Sequence, residues 1–161
     1  MEQTFTRESV TAAFEAIIAE FGADHHYTKQ VRPDVSDPTM GCYYSLPEKT
    51  EEDTYAPACI VGQIVYRLDP DLFQVIGALE SETGASCGAP SLLFGMWNSW
   101  SDEDGNMPED MRVLIDDETG DVSLVNALSN AQSAQDRGRS WGEAFSVYRE
   151  HLRLADQHEE V

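Results

Sequence analysis

The sequence predicts a mainly α fold: a compact single-domain helical bundle of five or six helices, with room for one short strand or hairpin. Three observations predict it. The densest apolar run, residues 57–76, repeats Cys59, Ile60, Val61, Ile64, Val65 and Leu68 at helical spacing. It is broken once, at Asp69-Pro70, where an N-cap followed by proline restarts a helix. Capped amphipathic stripes stand at both ends of the chain.

In chain order, Thr6 reads as the cap of a first helix, with Phe5 and Val10 placed for a hydrophobic staple. Val10, Phe14, Ile17, Ile18 and Phe21 form its stripe, and Gly22 supplies a left-handed stop. Residues 23–56 carry Pro33, Pro38, Pro47 and Gly41 among many polar residues and read as an irregular connection. Within it, Cys42-Tyr43-Tyr44-Ser45-Leu46 is either a short strand or a loop whose aromatics cover the first helix. Two consecutive helices follow over 57–76, with Pro57 opening the first and Leu68 and Phe73 stapled across the Asp69 cap.

After the break at Gly84–Gly88, Pro90 opens a helix that places Leu92, Leu93, Met96, Trp97 and Trp100 on one side. These tryptophans are core residues on one reading and a partner surface or aromatic pocket on another. The 101–121 segment is acidic: Asp102, Glu103, Asp104, Glu109, Asp110, Asp116, Asp117, Glu118 and Asp121 are answered there by Arg112 alone. Residues 111–125 allow a hairpin, but Val122, Val125, Leu128, Ala131 and Gln135 favour a helix starting near Asp121 and stopped by Gly138. Ser140 and Glu143 form a capping box for a last helix with the stripe Trp141, Ala144, Phe145, Tyr148, Leu152 and Ala155. The C-terminal tail, Gln157 to Val161, is expected to fray.

With 30 acidic against 10 basic side chains and a net charge of −20, the chain repels phosphate backbones, which argues against direct nucleic-acid or anionic-membrane binding. No stretch reaches the roughly 20 apolar residues of a membrane span. The opening Met1-Glu2-Gln3-Thr4 has no basic n-region, so no secretory signal is expected. Three cysteines, an odd number, fit reduced thiols in a cytoplasm.

Two stretches, Pro57-Ala58-Cys59-Ile60-Val61-Gly62 with Arg67-Leu68 and Gln135-Asp136-Arg137-Gly138-Arg139-Ser140-Trp141-Gly142-Glu143-Ala144, together resemble a family of small, uncharacterised proteins of actinobacteria and their phages. The resemblance implies a cytoplasmic setting, in a bacterium or a phage-infected one, and a mainly helical fold. It implies no activity.

Chemical leads are few. Cys59, placed by Pro57 in a first helical turn, would have its thiol pKa lowered by the helix dipole, and His25 or His26 would serve as its base. The bland alternative is a buried structural cysteine. Cys42, Cys59, Cys87 and one of those histidines are zinc-type ligands, but none has the short spacing of a zinc motif, so no metal is expected. His151 and His158 are weaker still. The run Asp102-Glu103-Asp104-Gly105-Asn106 fails as a calcium loop, because glycine falls at position 4 instead of 6 and position 12 would be Val113. No phosphate-binding or serine-hydrolase motif occurs, and no cofactor is expected.

The function read from the sequence is therefore an acidic protein-binding protein without catalysis, and in a phage setting a modulator of a host protein, including by nucleic-acid mimicry. Asp102, Glu103, Asp104, Glu109, Asp110, Trp97 and Trp100 are its binding candidates, for an unidentified protein partner with a basic surface. A homodimer is a further option. The alternative is a cysteine enzyme using Cys59 with a histidine base.

Overall fold

A computed structural model describes residues 5–28, 32–35, 43–48, 50, 53–116 and 118–159. The elements are α1 (Arg7–Phe21), β1 (Ser45–Pro47), β2 (Tyr55–Pro57), α2 (Ile60–Leu68), α3 (Pro70–Thr83), α4 (Ala89–Phe94), a 3₁₀ turn (Asn98–Trp100), α5 (Val122–Asp136) and α6 (Trp141–Glu159). The fold is mainly α, with one antiparallel two-stranded hairpin, and a single apolar cluster runs from Phe5 to Leu152.

Local caps start the helices as the sequence predicts. Thr6 Oγ1 accepts the Ser9 N–H at 3.0 Å and Ser9 Oγ accepts the Thr6 N–H at 2.9 Å, with Phe5 and Val10 both buried beside them. Gly22 closes α1 at φ 93°, ψ 147°, outside the left-handed helical region expected for it. Asp69 caps α3 through Leu72 N–H, and Pro70 takes the first helical position. Asp121 caps α5 through Leu124 N–H, so the helical reading of 121–136 holds over the hairpin.

The start of α2 differs from expectation. Pro57 lies in β2, and the helix begins at Ile60 with Cys59 as N-cap. The hairpin pairs Ser45 with Pro57, Leu46 with Ala56 and Pro47 with Tyr55. Ala58 N–H then bonds Tyr44 O at 2.9 Å, which turns the amide position of Pro57 outward, where no β1 carbonyl asks for a donor. Of the predicted 42–46 strand, Cys42 lies outside the described residues and the strand proper is Ser45–Pro47.

Strands of three residues leave most of their edges unpaired, and here side chains close them. Gln74 accepts the Tyr55 N–H at 2.9 Å and donates to Tyr55 O at 3.0 Å, while Gln63 Nε2 donates to Pro57 O at 3.3 Å. On the other edge, Ser45 N–H donates to Glu80 Oε1 at 3.0 Å and Ser45 O accepts Arg32 Nη1 at 2.7 Å. Arg32 and Glu80 are both fully buried and pair at 3.4 Å. Glu80 belongs to the buried stripe of α3 with Leu72, Phe73, Ile76 and Gly77.

The helix predicted from Pro90 is shorter than its stripe. α4 ends at Phe94, because Gly95 adopts a left-handed conformation (φ 84°), and Trp97 and Trp100 follow on the 3₁₀ turn. Met96 is thereby left 52% exposed. α6 returns along α5, bringing Asp121 and Asp156 to the same guanidinium, Arg7. Trp141 N–H and Gly142 N–H at the start of α6 donate to His25 O and Ala23 O, at 2.8 and 2.9 Å. Of the tail expected to fray, Gln157 and His158 continue α6, and residues 160–161 lie outside the described residues.

Two outcomes follow for stability. A Cβ at Gly62 would stand 2.3 Å from Tyr44 O, which is main chain and cannot swing away. Gly62→Ala, ordinarily stabilising in a helix by about 1 kcal/mol, is expected to lower the urea midpoint here, at a cost of about 1–3 kcal/mol. For pH, hydrogen bonding to Arg7 holds the Asp121 carboxyl below its ordinary value, so the folded chain binds that proton less readily than the unfolded one. Its contribution is present above the usual carboxylate range, about pH 4, and is lost as pH falls through the lowered folded value. Asp121→Asn keeps the cap and should flatten this acid limb in urea melts compared across pH.

Candidate functional site

The acidic segment is a long loop anchored by apolar residues. Trp100 is buried before it, Met111, Leu114 and Ile115 are buried within it, and the amides of Leu114 and Ile115 donate to Leu93 O at 3.2 and 3.0 Å. Between these anchors Asp102, Glu103, Asp104, Glu109 and Asp110 are all exposed, and Asp116 and Glu118 are exposed beyond them. Arg112, the loop's cation, is turned toward the Asp69 carboxylate at the α3 cap.

Backbone amides shape the two acidic turns. Asp102 Oδ1 accepts the N–H groups of Asp104 and Asn106 at 2.9 and 2.8 Å, and its Oδ2 accepts Asn106 Nδ2 at 3.1 Å. Asp116 Oδ1 accepts Glu118 and Thr119 N–H at 2.9 and 2.8 Å. Donation from the Asn106 backbone, foremost, lowers the Asp102 pKa, and donation from Thr119 does the same for Asp116.

Trp97 and Trp100 do not join this surface. Both are buried, at 5% and 4% exposure, and their indole N–H groups donate inward to Leu92 O at 3.1 Å and Ala85 O at 2.9 Å. This corrects their assignment as binding residues: each has one inward hydrogen bond, and their rings fill the core. What the segment does expose is Met96, Met107 (45%) and Val113 (50%). Val113 lies against Gly95, where a Cβ would meet it at 2.7 Å. The left-handed turn at Gly95, which rotates Met96 out of the stripe, was the missed signal.

Cys59 is not the activated thiol that its position suggested. It is fully buried, its Sγ accepts Gly62 N–H at 3.4 Å as the cap of α2, and burial pushes the thiol up to about 12. The neighbouring orphan amides are met from α5, Ile60 N–H by Gln135 Oε1 at 2.8 Å and Val61 N–H by Gln132 Oε1 at 3.3 Å. Burial therefore outweighs the amide contacts that would favour thiolate. Burial also raises Cys87 to about 12.

The histidines serve other contacts. The His25 ring lies 4.3 Å from the Trp141 ring, His26 Nδ1 is 2.9 Å from Gly138 O, and His151 Nδ1 is 2.9 Å from Asn130 Nδ2. His158 is exposed on the last turn of α6. Among the described residues, no three His, Cys, Asp or Glu side chains converge as a metal site, and Cys42 lies outside them.

Clefts also open on the surface of the described residues. One of about 260 Å³ is lined by Phe21, His25, His26, Gln63 and Trp141, and one of about 470 Å³, sharing Phe21, Pro57 and Gln63, continues to Tyr66 and Arg67. Phe21 and Tyr66 are 39% and 41% exposed along this groove, which Arg67 and Glu20 border as an ion pair. A third, of about 300 Å³, lies between Tyr44, Cys87, Gln132 and Asp136. Among the described residues, no helix is long and apolar enough to cross a membrane.

No family model matches the chain, and no curated protein or solved structure matches it.

The state of Cys59 can be read directly. Iodoacetamide at neutral pH should leave Cys59 unmodified in the folded protein and alkylate it in urea, as located by peptide mass spectrometry. Rapid modification of the folded protein at Cys59 would restore the cysteine-enzyme reading.

Proposed function

We propose that this chain acts by binding a protein partner with a basic surface, without chemistry of its own, and that the 101–118 loop is its docking face. One observation carries the reading: Asp102, Glu103, Asp104, Glu109 and Asp110 are all exposed on a loop anchored in the core, while the loop's Arg112 is paired away to Asp69. The field outside the loop is thus not cancelled locally, and it would steer and orient a cationic partner.

Exposed Met96, Met107 and Val113 add an apolar component beside the charges. Methionine is flexible and polarisable, which suits a surface that must fit a partner's side chains. A partner face combining arginine or lysine with apolar residues matches this composition. In a bacterial cytoplasm infected by a phage, the same array of carboxylates would occupy a basic, phosphate-binding site of a host protein by imitating nucleic acid. The alternative, a cysteine enzyme built on Cys59 with His25 or His26, has no geometric observation in its favour.

The test compares capture of host proteins by the native chain and by a variant carrying Asp102→Asn, Glu103→Gln, Asp104→Asn, Glu109→Gln and Asp110→Asn, at low and high salt. Asparagine at 102 keeps an acceptor for the Asp104 and Asn106 amides, so the turn survives. An exposed charge contact contributes about 0.2–1 kcal/mol, so five losses should weaken binding by between about five-fold and about four-thousand-fold. Loss of the same identified basic protein with salt and with the substitutions supports the reading. Capture unmoved by both would shift the interface to the Phe21–Tyr66 groove.

A further inference from the structure

Arg32 is held in an unusual way for a residue outside any helix or strand. Its Nη1 donates to Ser45 O at 2.7 Å and Ser45 Oγ at 2.8 Å, and lies 3.4 Å from Glu80 Oε1. Its Nη2 donates to Gly77 O at 3.0 Å. The guanidinium carbon sits 5.3 Å from the ring centroids of both Tyr43 and Tyr55. The remaining edge is met by Asp34, from the same short segment, at 2.7 and 3.2 Å.

Glu80 has donors other than Arg32. Glu80 is oriented by Tyr44 N–H at 2.9 Å, Ser45 N–H at 3.0 Å and Ser45 Oγ–H at 2.6 Å, all from the hairpin side. Gly77 leaves room for the Tyr55 ring, since a Cβ there would stand 2.3 Å from it. The result is a slot with carbonyl and carboxylate acceptors along its end and aromatic rings nearby. That arrangement matches a planar, five-donor cation and matches a compact ammonium poorly.

We propose that the hairpin and α3 form a guanidinium-recognition site that the chain fills with its own Arg32. The ligand class is the guanidino group, from a free guanidino compound or from an arginine side chain. An empty slot leaves the Glu80 carboxylate buried without a counter-charge and the Ser45 carbonyl without its donor, so an external guanidinium has a free-energy gain waiting for it. The proposal is independent of the acidic docking face.

Chemical rescue tests it. Arg32→Ala is melted in methylguanidinium chloride, in N-acetylarginine amide and in methylammonium chloride, beside the native protein and the Arg32→Ala, Glu80→Gln double variant. Methylguanidinium should raise the melting temperature of Arg32→Ala by roughly 3–6 °C for each tenfold increase above its Kd, with little effect on the native chain or the double variant. Equal rescue by N-acetylarginine amide extends the ligand class to arginine side chains, while rescue by methylguanidinium alone restricts it to small guanidino compounds. If Arg32→Ala is unfolded by itself, folding on addition of methylguanidinium, followed by circular dichroism, is the equivalent positive result. Methylguanidinium no better than methylammonium, an equal shift in the native chain, or an Arg32→Ala chain that stays unfolded throughout would overturn the proposal.

Discussion

The buried Glu80 carboxylate is the constraint on which the rest of the structure depends. It occupies a core position of α3, one turn beyond Ile76, where an apolar side chain would ordinarily stand. Desolvation is the leading influence on it and raises its pKa, while the Ser45 hydroxyl, the Tyr44 amide and Arg32 act the other way. Removing one member of such a pair costs about 3–5 kcal/mol, so everything that meets Glu80 is held in register by it. That includes the Tyr44-Ser45 backbone and therefore the hairpin. The hairpin in turn positions α2: Tyr44 O accepts Ala58 N–H and lies against Gly62, and the chain enters the helix directly afterwards. At that entry Gln135 of α5 accepts both Ile60 N–H and, at 3.0 Å, the indole N–H of Trp141. One polar line thus links α3, the hairpin, α2, α5 and α6 inside an otherwise apolar core.

The chain's few cations are distributed in the same spirit. Arg7, Arg67, Arg112, Arg139 and Arg153 each face a carboxylate at or near the surface, and Arg32 does so in the core. With 30 acidic side chains against 10 basic ones, pairing most arginines internally leaves the excess negative charge facing solvent. Exposed pairs of this kind contribute little individually. Arg7 matters more for where it sits, joining the start of α5 to the end of α6 against α1. Self-repulsion disfavours a compact state, and a tie across α1, α5 and α6 counters it there.

What was legible in the sequence was what local rules decide. The caps at Thr6, Asp69 and Asp121 and the stripes of α1, α5 and α6 depend on residues within a few positions of one another. The rest depends on distant partners. Pro57 looks like a helix start until β1 pairs with it, and Cys59 looks activated until Gln132 and Gln135, more than 70 residues on, help cap its helix and bury it. Trp97 and Trp100 carry the right spacing for a continuous helical face, but Gly95 breaks the helix before they are reached. Glu80 did leave a signal, as the one acid on an apolar stripe. Arg32, in an irregular segment, left none.

The acidic loop combines irregular backbone with local order, and that combination bears on whether it can recognise anything. A flexible acidic tail would attract cations at a large ordering cost, which binding must overcome. Here buried Trp100, Met111, Leu114 and Ile115 fix the loop to the core, and the Asp102 and Asp116 carboxylates close turns on their own following amides. Those amides also lower both carboxyl pKa values, so Asp102 and Asp116 keep their charge as pH drops into the range where ordinary carboxylates begin to neutralise. Glu103 and Asp104, carried on the first of these turns, are exposed and inherit its geometry. Under the proposed reading, the part of the ordering cost that falls on these two turns is met in folding.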